Sequence, residues 1–207
     1  MDRHGLLCGM TTCPQFAHDE FTRAYHAHEW GEPVSDPIIL FEYLVLHTFQ
    51  AGLPLEWVLK RREGFRDALC NFEPARLARF SDDDIAEFLL NPHVIRNRRK
   101  AETTRQNAQA WLRLRAEQGS DAGLLRFLYD FVGGRPQVNQ WASPAQVPAT
   151  TPAGDALARE LKRRGFGLLG PVGCYSLLQT AGLINDHLTG CPRHAECVQL
   201  AAEWSLP

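Results

Sequence analysis

No stretch of the chain approaches the roughly 18 consecutive apolar residues that a membrane-spanning helix needs, which excludes a helical membrane protein. The opening MDRHGLLCGMTTC has no apolar run followed by a small-residue cleavage site, so a cytoplasmic location is expected. No segment repeats and none is low in complexity, which excludes repeat arrays and disordered tracts. No run alternates apolar and polar residues convincingly enough for a strand, which leaves an all-α fold. Positive charge is not in surplus either: 22 Lys and Arg face 24 Asp and Glu, for a net charge of −2. A nucleic-acid partner would therefore have to be met by local clusters. What is present is an ordinary globular balance, 44% hydrophobic with eleven Phe and five Trp in 207 residues. That suffices for one well-buried core, or two small lobes sharing one.

The basic residues do cluster. Lys60, Arg61 and Arg62 form one group, Arg96, Arg98, Arg99 and Lys100 a second, and Lys162, Arg163 and Arg164 a third, while Asp82, Asp83 and Asp84 concentrate acid elsewhere. Each cluster fits either a phosphate contact or a solvated helix end. The six cysteines, at 8, 13, 70, 174, 191 and 197, point to metal ligation or plain burial rather than disulfides in a cytoplasmic chain.

Helical signals dominate. Ser35-Asp36-Pro37 reads as a cap and a first-turn proline for a helix over 38–51, with Leu40, Leu44, His47 and Ala51 on one stripe. A second amphipathic helix is predicted over 55–69, a Ser81-capped one ending at Leu90, a long one over Arg98–Gln118, and shorter ones over 124–132, 155–164 and 174–182. The proline-rich stretch 135–151 reads as a connecting loop.

Residues 161–182, LKRRGFGLLGPVGCYSLLQTAG, place Gly165, Gly167 and Gly170 between a basic helix and a helix starting near Pro171. This fits a helix-hairpin-helix in which backbone amides and a helix N-terminus cradle a phosphate. It equally fits an ordinary corner between two helices that needs glycine for its turn. Near the chain ends stand Cys13, His26, His187 and Cys191, a possible closed tetrahedral metal set. Cys8, His18, His28, His194 and Cys197 lie close enough in sequence to leave that choice open.

Several motifs occur in order: Ala24-Tyr25-His26, Glu29-Trp30-Gly31, Leu40-Phe41-Glu42, Gln50-Ala51-Gly52-Leu53, Val58-Leu59-Lys60-Arg61-Arg62-Glu63, Ile95-Arg96-Asn97-Arg98, Pro136-Gln137-Val138, Lys162-Arg163-Arg164-Gly165-Phe166, Cys174-Tyr175-Ser176 and Asn185-Asp186-His187. Together they resemble the DNA-3-methyladenine glycosylase I family. The resemblance implies one unit spanning 1–207, with a helical lobe over about 35–150 and a hairpin-and-metal lobe from about 13–34 plus 151–197. It implies a helix-hairpin-helix fold, a structural zinc on Cys13, His26, His187 and Cys191, and damaged double-stranded DNA as partner of a monomer. It also implies a base-excision repair enzyme that flips an alkylated purine and hydrolyses its glycosidic bond without cutting the strand. Tyr25, Trp30, His47, Leu55 and Trp57 are the expected base pocket, with Tyr25 and His47 nearest the chemistry. Gln50, Gly52, Leu53, Lys162, Arg164, Gly165, Gly167 and Gly170 are the expected DNA contacts, Leu53 as the wedge. Asp186 adjoins a metal position and reads as structural.

Two pocket positions depart from the family pattern: His47 stands where the family has Glu, and Leu55 where it has Trp. The expected consequences are weaker selection for cationic 3-methyladenine, room for a bulkier or neutral lesion, and excision that responds to pH near the usual histidine value of about 6.5. A DNA-binding relative without catalysis and a repurposed N-glycoside hydrolase are the alternatives.

Overall fold

The computed structural model describes residues 13–206; Cys8 lies outside the described residues. Helices make up the framework: α1 Glu20–His28, α2 Pro37–Gln50, α3 Leu55–Leu59, α4 Arg62–Ala68, α5 Pro74–Leu77, α6 Asp82–Leu90, α7 Arg98–Gln118, α8 Asp121–Asp130, α9 Pro152–Arg163, α10 Pro171–Thr180 and α11 Pro192–Glu203. The all-α expectation holds. No helix is long and apolar enough to cross a membrane among the described residues.

Local chemistry sets the helix ends. Ser81 and Asp84 form a reciprocal capping box at the start of α6, and the Asn97 side chain accepts from Lys100 N at the start of α7. Thr151 caps α9 with Pro152 in its first turn. α2 is the central beam. Every residue from Leu40 to Phe49 is buried, so its amphipathic stripe is lost and it is apolar nearly all round. Its core neighbours come from α4, α6, α7 and α10, including Phe65, Phe88, Trp111 and Leu178.

Three expectations need correction. The helix predicted over 55–69 is two helices, α3 and α4, broken at Lys60 and Arg61. The break lets the next side chain, Arg62, donate to Glu42 Oε1 at 2.6 Å and to Glu29 at 2.6–2.7 Å, tying α4 to α2 and to the end of α1. The 135–151 stretch is no free loop: Gln137–Val138 (β1) pairs in parallel with Ile184–Asn185 (β2), a two-residue ladder. The predicted helices stop at 182, yet α11 follows at Pro192–Glu203.

Candidate active site and metal centre

α1, α2, α3 and α10 surround a cavity of about 390 Å³, within the range of about 300–1,000 Å³ usual for small-molecule sites. Its walls carry the aromatic rings of Phe16, Tyr25, Trp30 and Tyr175, the aliphatic Leu55, and the polar groups of His47, Gln50, Ser176, Gln179 and Thr180. Phe16 packs against Trp30 with ring centroids 4.7 Å apart and against Tyr25 at 5.9 Å. No Asp, Glu or Lys lines the cavity among the described residues.

The sequence-predicted pocket is largely assembled here. Tyr25, Trp30, His47 and Leu55 all line the cavity, and Gln50, expected as a DNA contact, lines it as well. Trp57 does not. It sits on the outward side of α3, about half exposed, because α3 turns its Val58 and Leu59 inward.

His47 is held by two bonds, Nδ1 to Gln50 Oε1 at 2.8 Å and Nε2 to Thr180 Oγ1 at 2.9 Å. Burial lowers its pKa to about 4, against the raising effect of the Gln50 bond, so it is neutral at pH 7. The expected titration near 6.5 is thus displaced, because imidazolium would be desolvated with no carboxylate beside it. Tyr25 shares the same hydroxyl, with its OH 2.7 Å from Thr180 Oγ1, and burial raises its phenol above the ordinary value. Thr180, 2% exposed, is the residue that sequence reasoning missed. It lies 133 positions from its partner His47, and a threonine inside a buried helix carries no signal of its own.

Behind the cavity wall, Asp186 is buried and accepts from Asn139 Nδ2 at 2.7 Å, Trp141 Nε1 at 2.6 Å, Gln179 Nε2 at 2.7 Å and the Tyr175 hydroxyl. Four donors saturate its lone pairs, which fits the structural reading. It fastens the 139–141 segment to α10 and so fixes Tyr175 and Gln179 in the cavity wall.

Past the cavity, the turn Gln50-Ala51-Gly52-Leu53 ends α2, with Gly52 at φ +77°. Lys100 from α7 reaches under this turn. Its buried ammonium donates to Phe49 O at 2.5 Å and Ala51 O at 2.8 Å, two carbonyls left open by the helix end. Grouped by sequence with exposed arginines, Lys100 is instead an internal cap. Leu53 sits at the outer end of the turn, half-buried.

The hairpin joins α9 to α10 through Gly165, at φ +88°, and Leu168, also left-handed at φ +57°. Its glycines are not equivalent. The Gly167 amide donates to Asn107 Oδ1 at 2.8 Å, and a Cβ there would lie 2.9 Å from Thr103 Cγ2. Gly167 therefore packs against α7 and offers no amide to a phosphate, contrary to expectation. Gly170, the N-terminal residue capping α10, faces open space. Arg164 also departs from expectation. Its guanidinium pairs with Glu160 at 2.6 Å and with Glu117, and it lies over the Phe127 ring. Lys162 is exposed and makes no ion pair among the described residues.

Cys13, His26, His187 and Cys191 come together, all buried, with ligand atoms within 4.8 Å of one another. His187 Nδ1 lies 3.1 Å from His26 Nε2, 3.7 Å from Cys13 Sγ and 3.8 Å from Cys191 Sγ, and Cys191 Sγ is 3.5 Å from His26 Nε2. The other ring nitrogen of His187 meets Trp30 O at 2.8 Å, the outer-shell bond that orients a ligating histidine. The two thiols share one hydrogen bond, which holds Cys191 below its ordinary range and pushes Cys13 above it, so one proton lies between the pair. The rival candidates among the described residues take no part: His194 bonds to Asn139 O, and His18 and His28 lie outside the cluster. Cys197 is buried close by, and desolvation raises its pKa to about 11.

Comparison with known proteins places this arrangement. The family model described as Methyladenine glycosylase matches residues 15–194. DNA-3-methyladenine glycosylase 1 of Escherichia coli K12 is 38% identical over 182 residues, covering 88% of this chain and 96% of that protein. A crystal structure of 3-methyladenine DNA glycosylase I superposes with a TM-score of 0.83 at 42% identity, covering 88% of this chain and 98% of the other. The Staphylococcus aureus enzyme, solved for its recognition of 3-methyladenine, also gives a TM-score of 0.83, at 33% identity over 88% and 96% of the two chains. With the cavity, the hairpin and the buried Cys2His2 cluster in one helical frame, the chain belongs to the methyladenine glycosylase family.

Proposed function

We propose that this chain is a monofunctional DNA glycosylase of base-excision repair, which extrudes an alkylated purine nucleotide from duplex DNA into the cavity beside His47 and hydrolyses its N-glycosidic bond. The observation that carries this reading is the aromatic cavity bounded by Gln50, the first residue of the turn that ends in Leu53. A side chain able to fill the vacated base stack thus sits next to the chamber that would receive the base.

The chemistry follows from what the cavity contains. An N-alkylated purine nucleotide carries positive charge, so the base leaves as a neutral molecule once the bond from C1′ breaks. Water adds to C1′, and its proton passes to solvent. The products are an abasic site and the free base. No lysine among the described residues lines the cavity to form a covalent imine, and the Lys100 ammonium is committed to two carbonyls. The neutral His47 and Tyr25 form the polar wall of the cavity through their hydrogen bonds to Thr180 and Gln50. Catalysis here rests on desolvation and positioning of a leaving group that is already activated.

The Cys2His2 cluster fits structural zinc. Bond lengths of about 2.3 Å to sulfur and 2.0–2.1 Å to nitrogen in a tetrahedron imply N···S edges of roughly 3.6 Å and an N···N edge of roughly 3.4 Å. The distances of 3.5–3.8 Å and 3.1 Å match that frame. All four positions are filled by protein, so the ion would staple the two ends of the chain and take no part in the reaction.

For the hairpin, the amides of Gly170, Val172 and Gly173 at the N-terminus of α10 and the exposed Lys162 are the contacts we assign to a DNA phosphate, in place of Gly167 and Arg164. The test is release of free base from methylated duplex DNA by the purified chain, followed chromatographically. Binding to that DNA without any released base would favour the non-catalytic alternative.

A further inference from the structure

The polar wall of the cavity is one continuous chain of hydrogen bonds. Tyr25 OH reaches Thr180 Oγ1 at 2.7 Å, Thr180 reaches His47 Nε2 at 2.9 Å, and His47 Nδ1 reaches Gln50 Oε1 at 2.8 Å. Thr180 has a further acceptor, Ser176 O, at 2.9 Å. Thr180 owns a single proton and the neutral His47 a single N–H, so His47 has two tautomers, and each fixes which end of the Gln50 amide is left for the cavity.

In the first tautomer Tyr25 donates to Thr180, Thr180 donates to His47 Nε2, and His47 Nδ1–H donates to Gln50 Oε1. The Gln50 NH2, which meets no protein acceptor among the described residues, is then the group offered to the cavity. In the second tautomer His47 Nε2–H and Tyr25 both donate to Thr180, and Thr180 donates to Ser176 O. His47 Nδ1 is then bare, and the Gln50 amide turns over to donate to it, leaving the Gln50 oxygen facing the cavity. The two arrangements differ by the movement of one proton, one hydroxyl rotation and one amide rotation, all local.

We propose that the Tyr25–Thr180–His47–Gln50 chain is a reversible hydrogen-bond relay that lets the cavity take alkylated purines bearing either a 6-amino or a 6-oxo group, with Thr180 as the specificity-determining residue. This rests on the glycosylase reading above. A 6-amino purine presents a donor and a 6-oxo purine an acceptor at the same edge. A cavity with a fixed donor or a fixed acceptor rejects one of them, because the mismatch leaves a buried polar group unpaired. Here no charged group lines the cavity among the described residues. Charge therefore does not separate one N-alkylated cation from another, and the relay carries the discrimination. Substrates of both kinds follow: 3-methyladenine on one side, 3-methylguanine and 7-methylguanine on the other.

Duplex DNA treated with dimethyl sulfate contains all three lesions, and the released bases are separable by chromatography. The wild type should release methylguanines as well as 3-methyladenine, and Thr180→Ser should keep the ratio. Thr180→Val removes the only partner of Nε2, and a bare Nε2 lone pair costs less than an unpaired Nε2–H, so the first tautomer is favoured, with the Gln50 NH2 outward. The ratio of methylguanine to 3-methyladenine release should rise by at least about fivefold, the equivalent of one unpaired buried donor. A second readout uses the unaltered protein and does not depend on that variant folding. Nitrogen-15 NMR of His47 should show the Nε2–H tautomer with free 3-methyladenine bound and the Nδ1–H tautomer with free 7-methylguanine bound. Release of 3-methyladenine alone, an unchanged ratio in a folded Thr180→Val protein, or one tautomer with both bases would each overturn the relay while leaving the glycosylase reading intact. No release of any base would overturn both.

Discussion

Trp30 and His187 are joined twice: the Trp30 carbonyl lies 2.8 Å from His187 Nε2, and the two rings meet edge-on with centroids 4.5 Å apart. Trp30 also lines the cavity, so the metal cluster and the base pocket share a wall. Gly31, at φ +87°, allows this closeness, since a Cβ there would lie 2.9 Å from the His187 ring.

Loss of the metal should therefore be felt in the pocket as well as in stability. His187→Ala is expected to lower zinc content, measured by elemental analysis. It should reduce Tm by at least about 4 °C, given roughly 2–4 °C per kcal/mol for a chain of this size. Affinity for 3-methyladenine should fall in parallel, and chelation of the wild type should reproduce all three effects. Unchanged Tm in a protein isolated without zinc would contradict the assignment.

The pH response should be flat where a typical histidine would titrate. His47 has a native pKa of about 4 against about 6.5 when unfolded. Between those values the unfolded chain binds the proton and the native one does not, so stability is complete above about 6.5 and is lost as pH falls towards 4, by up to about 1.4 kcal/mol per unit. Base release should be constant from pH 5.5 to 8 apart from this loss. Urea unfolding of wild type and His47→Gln across that range isolates the contribution as the difference between their slopes, since the other histidines are common to both.

Lys100→Met keeps the aliphatic stem and removes the ammonium that caps Phe49 O and Ala51 O. Leaving a buried carbonyl without its donor costs about 1–3 kcal/mol. The turn carrying Leu53 should loosen, so turnover should fall more than duplex binding does. Fluorescence of a 2-aminopurine placed beside the lesion would report the lost base extrusion. A parallel Leu53→Ala variant should show the same signature without the loss of stability.

The hairpin glycines give opposite forecasts. Gly170→Asp places a carboxylate in open space at the cap of α10, a position that accepts Asp well, so folding should be unharmed while duplex affinity drops and its salt dependence weakens. Gly167→Ala meets Thr103 Cγ2 and should destabilise the chain with little direct effect on DNA affinity. Melting curves and binding isotherms across a salt series distinguish the two.

Legibility in the sequence followed how local each signal was. α6 and α7 match their predicted spans because Ser81, Asn91 and Asn97 mark their ends. The split between α3 and α4 was invisible because its cause, the reach of Arg62 to Glu42 and Glu29, spans 20 and 33 positions. The stripe on α2 correctly turned His47 inward, but nothing local named Thr180 as its partner. Lys100 and Arg164 looked like members of basic patches, since a run of like charges does not reveal which member folds under. α11 escaped notice because it buries only His194 and Cys197.

The four cluster residues stand at positions 13, 26, 187 and 191, so the cluster joins segments far apart along the chain. During synthesis the first pair emerges long before the second exists. Until residue 191 is made, Phe16, Tyr25 and Trp30 have no Leu188 or Cys191 to pack against. The N-terminal segment is thus committed to wait, and closure of the ring fixes the two segments to one another. A truncation that ends before Cys191 should accumulate as an open form, sensitive to proteolysis near its beginning rather than near its new end.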